Sequence, residues 1–154
     1  MGKRTFALSI VVVTLLSLSV TAVFAADMLT GKWRVNTGTT NTQEIISAVN
    51  GIRVVADSVG ATGIKEHREF TVQFDSKDYP FKQTLDGKPI TDGNDMVSAK
   101  KIDDYTFELT RKRQGAVLAV IKMIVSRDGK TLTSTVNGTD QGQAFTASTI
   151  YEKQ

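Results

Sequence analysis

Glycine-centred turn signals divide most of this chain into pieces too short for helices. Asn50-Gly51, Asp86-Gly87, Gln114-Gly115, Asp128-Gly129 and Gln141-Gly142 each supply residues that tolerate the positive φ of tight hairpins. Between them the residues alternate with a period of two, as strands with one buried face do. Ile64, Phe70, Val72 and Phe74 share one face of "IKEHREFTVQF", and Tyr105, Phe107 and Leu109 share one face of "YTFEL". "GIRVVADSV" is β-branched, while "KTLTSTV" and "AFTASTIYE" are rich in threonine and suit a pleated surface. "AVLAVIKMIV" is apolar on both faces and reads as a central strand covered on both sides. "NTQEIISAVNG" fits a short capped helix or a strand entering an Asn-Gly hairpin. Its β-branched Ile45, Ile46 and Val49 favour the strand. The expectation is an all-β domain of about eight to ten antiparallel strands, as an up-and-down barrel or a barrel-like sandwich.

The first 25 residues stand apart from this pattern. Lys3 and Arg4 precede an apolar run from Phe6 to Val20, and Val23-Phe24-Ala25 ends in a small residue. That is the layout of a secretory signal peptide cleaved between Ala25 and Ala26; it is preferred to an uncleaved anchor because Ser9, Thr14, Ser17, Ser19 and Thr21 dilute the run. Residues 26–154 then form a single domain, periplasmic or secreted, with no membrane anchor after cleavage. The chain has no cysteine, which excludes a lipidated cysteine, disulfides and thiolate metal sites. Its stability must come from its core. Taking Lys3 and Arg4 from the 19 basic residues leaves 17 against 16 acidic ones, a net charge of +1. A nearly neutral domain gives no electrostatic case for nucleic acid. Arg111-Lys112-Arg113 reads as a solvated strand end, with an anion-binding patch as the lesser alternative.

Several runs resemble a group of small secreted bacterial proteins described as lipocalin-like: "FDSKDYPF", "SAKKIDDYTFELTRKRQG", "VSRDGKTLTSTVNGTD" and "IYEK". The resemblance spans Gly51 to Lys153 and implies a β-barrel or barrel-like sandwich with no assigned catalysis. "GKW", Gly31 to Trp33, is similar to the Gly-x-Trp strand start of lipocalins, which implies that Trp33 closes one end of the barrel. The arginine that lipocalins set against that tryptophan has no counterpart in "AFTASTIYEKQ". Of the Arg-x-Tyr of fatty-acid-binding barrels only Tyr151 remains.

No catalytic or metal-ligating set emerges. His67 is the only histidine; it lies opposite the apolar face of its strand and reads as a surface residue. Asp103-Asp104 and Asp92-Gly93-Asn94-Asp95 read as turn residues, and the second lacks the spacing of a calcium loop. Asn137-Gly138-Thr139 has the form of a glycosylation acceptor, but Asn-Gly reads as a hairpin. Charges on apolar faces are more informative. Counting by two from Phe74 back gives Val72, Phe70, Arg68 and Glu66, and forward from Tyr105 gives Phe107, Leu109, Arg111 and Arg113. Lys122 stands in register with Leu118, Val120 and Ile124. If these faces line a barrel, Arg68, Arg111 and Lys122 would hold an anionic head group, and Phe70, Phe107 and Phe145 its tail. Tyr151 joins this candidate ligand set. The leading expectation is therefore a non-enzymatic barrel for a small apolar or amphipathic molecule, with no cofactor and no metal. The alternative is an envelope interaction domain with a solid core, using Arg111 to Arg113 and the threonines of Thr131 to Thr139.

Overall fold

The computed structural model describes residues 26–35 and 40–154. The stretch read as a signal peptide, residues 1–25, lies outside the described residues, as do residues 36–39. A single helical turn, α1 (Ala26–Leu29), leads into eleven strands: β1 (Gly31–Val35), β2 (Thr42–Ala48), β3 (Gly51–Val59), β4 (Lys65–Gln73), β5 (Tyr79–Leu85), β6 (Lys88–Pro89), β7 (Asp95–Lys101), β8 (Thr106–Arg113), β9 (Ala116–Val125), β10 (Thr131–Asp140) and β11 (Gln143–Lys153). Sequence neighbours pair antiparallel throughout except β6 and β7; β5 pairs with β7 instead, and β1 pairs with β11. The result is a closed antiparallel ring of ten strands, with the two-residue β6 appended to β5. The barrel expected from the alternation is present, and "NTQEIISAVNG" forms a strand, β2.

The turns follow their sequence signals. Asp86-Gly87, Gln114-Gly115 and Gln141-Gly142 all have positive φ at both residues, the geometry that matches the twist of the strands they join. Gly51 is needed for another reason. A Cβ there would lie 2.0 Å from the Val72 carbonyl oxygen, because β3 starts directly against the end of β4. Asn137-Gly138 is not a turn: both residues lie within β10, opposite Thr146 and Phe145 of β11. The space a side chain at Gly138 would need is occupied by the Phe145 ring. The adjacent Gln141-Gly142 makes the hairpin instead.

Two other expectations are corrected. β9 is covered on one face only. Ala119, Met123 and Val125 are buried, while Ile124 on the other face is 41% exposed. The inward residues of β9 are Ala119, Ile121, Met123 and Val125, opposite in parity to Lys122, and a bulge at Leu118 interrupts its ladder to β8. Asp95 is not a solvated turn residue. It opens β7 and is 1% exposed.

The registers place the interior in layers. At one end Trp33, Ile45, Ile52, Val72, Phe107, Val125 and Leu132 are almost wholly buried, and Leu29 packs with them from α1. Trp33 donates its indole N–H to the Leu29 carbonyl at 2.9 Å, so the turn of helix and the ring close this end together. Lys153, which faces Trp33 across the β1–β11 ladder, holds its ammonium 5.1 Å from the indole centroid. A cation thus sits against the tryptophan, supplied by lysine where the sequence offers no arginine. Toward the other end of the ring, the same inward faces turn polar.

Candidate functional site

Above the packed layer lies a cavity of about 270 Å³. Its apolar wall comprises Val54, Phe70, Phe81, Leu109, Ile121 and Met123, contributed by alternate positions of β3, β4, β5, β8 and β9. Phe70 and Phe81 meet at 5.6 Å between centroids. Its polar side includes Asn41, Gln43, Ser58, Glu66, Arg68, Arg111 and Tyr151.

The charged groups form a connected cluster. Arg111 donates from Nη2 to Gln83 Oε1 at 3.0 Å, and its guanidinium lies 4.1 Å from the Phe81 centroid. Gln83 in turn donates to Glu66 Oε1, whose second oxygen accepts from Ser58 at 3.2 Å. Arg68 Nε lies 3.3 Å from Glu66 Oε1 but outside hydrogen-bond geometry, so this buried N–H has no hydrogen-bond partner. Arg68 thus meets the Glu66 carboxylate directly, and Arg111 reaches it only through Gln83. Nearer the rim, Arg113 donates to Asp95 Oδ1 at 2.9 Å, a balanced pair. The interior polar end carries one more positive than negative charge. Burial lowers the pKa of Arg111 and the neighbouring Arg68 lowers it further, while Asp95 and Glu66 oppose the shift. Burial raises the pKa of the Tyr151 phenol, with Arg68 opposing and Glu66 adding to the effect.

The structure sorts the residues read from the sequence. Arg68, Phe70, Arg111 and Tyr151 line the cavity. Phe107 has the expected inward parity but belongs to the packed end, where it stacks on Phe74 at 5.3 Å. Phe145 stands outside the cavity, in an open groove with Arg111, Arg113 and Ala119. Lys122 is exposed and lies on the outer face between Glu108 and Thr135. In a strand apolar on both sides its charge gave no true marker of the inner face. The Arg111-Lys112-Arg113 run is not one solvated patch. Arg111 and Arg113 face inward, and Lys112 alone turns out, to Asp78 at 2.8 Å. His67 lies outside the barrel wall with Asp57 at 2.8 Å.

Sequence reasoning missed Asn41, Gln43 and Gln83. Asn41 and Gln43 sit in a Thr/Asn/Gly-rich segment that looked unfit for any interior. The signal was there: counting back by two from Ile45 reaches both. Gln83 follows in the same way from Phe81. Among the described residues, no group of three or more His, Asp or Glu could hold a metal ion.

No protein-family model matches the chain, and no curated protein matches it significantly. The geometry defines a class of architecture: a closed antiparallel barrel, solid at one end and holding a cationic, amphipathic cavity at the other.

Proposed function

We propose that this protein is an exported, lipocalin-like binding module, non-enzymatic, that holds a small amphipathic anion inside the barrel. The observation that carries the reading is the pair Arg68 and Arg111 at the end of an apolar cavity, Arg68 beside Glu66 and Arg111 bonded to the neutral Gln83. A carboxylate head group would supply the missing charge through charge-assisted bonds, while its tail meets Phe70, Phe81, Leu109 and Met123. A volume of about 270 Å³ equals about nine waters' share of the liquid, which suits a ligand on the order of ten heavy atoms. Export is supported by the leader-like sequence of residues 1–25, and residence in the periplasm or outside the cell follows from it. The competing reading, an envelope interaction domain, loses part of its proposed surface because Arg111 and Arg113 face inward.

Native mass spectrometry of protein purified from its source, followed by solvent extraction, tests this. A co-purifying acid of small size is expected, and titration calorimetry should show octanoate binding that weakens tenfold or more in Arg68→Met and Arg111→Met. Stoichiometric absence of any ligand, together with no heat from straight-chain acids of any length that fits, would sink the proposal.

A further inference from the structure

Three polar atoms lining the cavity are buried and without a hydrogen-bond partner: Asn41 Oδ1, Gln43 Nε2 and Arg68 Nε. They are arranged in two stations. Asn41 and Gln43 are two residues apart on the extended chain at the start of β2, so both side chains face inward about 7 Å apart. One presents an acceptor and the other a donor. Across the sheet, Gln43 is paired with Ala56, and Ala56 with Arg68. The two stations are therefore separated by two inter-strand steps, about 10 Å between backbones. Only the small Ala56 side chain stands between them, which leaves the wall open for a molecule to span both.

A lone acid with a hydrocarbon tail would satisfy Arg68 and leave a buried amide donor and a buried amide acceptor unmatched, which is unfavourable. A group with its own N–H and C=O would match both. Building on the anion-binding reading above, we propose that the ligand class is an acid that also carries an amide, as N-acyl amino acids and short peptide-like acids do. The carboxylate lies at Arg68, the amide N–H donates to Asn41 Oδ1, and the amide carbonyl accepts from Gln43 Nε2. The apolar wall takes the connecting carbons.

Octanoate and adipamate, the monoamide of adipic acid, are matched in heavy atoms and differ in the amide. Their affinities for protein expressed from the full chain are measured by calorimetry, in the wild type and in an Asn41→Leu/Gln43→Met variant of similar side-chain volume. The ratio of adipamate to octanoate affinity is expected to fall tenfold or more in the variant, with octanoate binding retained as the internal sign of an intact barrel. If octanoate binds both proteins and the ratio does not change, or if adipamate fails to bind the wild type while octanoate binds, the amide assignment is overturned and the anion-binding reading stands. If neither acid binds the wild type, both fall.

Discussion

Single positions carry consequences that their chemistry makes measurable. Gly51 is fixed by contact, since any Cβ would collide with the backbone of Val72 and Gln73, and neither can withdraw without breaking the β3–β4 ladder. Gly51→Ala should cost about 2 kcal/mol or more, within the range of overpacking, read as a lower urea midpoint at unchanged slope. Tyr151 makes a prediction in pH. Its folded pKa is raised above the ordinary 10.0, chiefly by burial, so the unfolded chain releases the proton first. Stability is fully present below the unfolded pKa and is lost as pH rises through the folded one. Urea midpoints at about pH 9 and about pH 11 should therefore show an alkaline loss that Tyr151→Phe reduces. A slope unchanged by that substitution would count against the phenol. These residues differ in how legible they were. Trp33 and Tyr151 could be placed from motif and parity, because a large side chain on a regular face has one place to go. Gly51 was readable as a turn glycine, but its real constraint is the approach of the far end of the next strand, β4, which no local pattern carries.

Strands were easier to find than to orient. Alternation gave β4 and β8 their faces because large apolar side chains are confined to one face there, and Arg68 and Arg111 followed correctly from that parity. β9 is apolar on both faces and offered no such contrast, so Lys122 was assigned to the wrong side. The contrast is testable: Lys122→Gln should leave octanoate affinity within twofold of wild type, whereas Arg111→Gln should weaken it tenfold or more. Equal effects would mean that charge acts on the ligand from a distance and not by contact. The ring also has a weak joint. β5 and β7 share only two register pairs, Tyr79 with Val97 and Pro80 with Met96, whereas β10 and β11 share ten. Hydrogen exchange should therefore open the β5–β6 hairpin before the β8–β11 ladder. Uniform protection around the ring would contradict this. The chain between β5 and β7 has no strand pattern to read beyond its turns, and the weakness of the joint appears only once pairing is known.

Taken together, the alternation and turn chemistry were sufficient for an all-β barrel, because a chain of short one-faced strands must bury that face against itself. The division of the interior into a solid half and a hollow half was not legible in the same way. It depends on how inward residues of separate strands stack around the ring, and so on registers fixed by turns and bulges. Trp33 and its neighbours fill one end. The polar end stays open because Ala56, Ser58 and Ala119 are small while the long side chains there are held to one another.

Closure has a temporal meaning as well. The seam that completes the ring joins β1 to β11 through Trp33, Arg34 and Val35 opposite Lys153, Glu152 and Tyr151, two segments at opposite extremes of the described chain. Contacts of such long sequence separation form late and slowly. A chain ending at Ser148 should therefore lose cooperative unfolding and red-shift the emission of Trp33, the sole tryptophan; a native-like, blue-shifted spectrum would argue against this role for the seam. Synthesis delivers β11 last of the described strands, so the ring stays open until that strand has been made. The cavity, whose wall includes Tyr151, is complete only when that strand arrives.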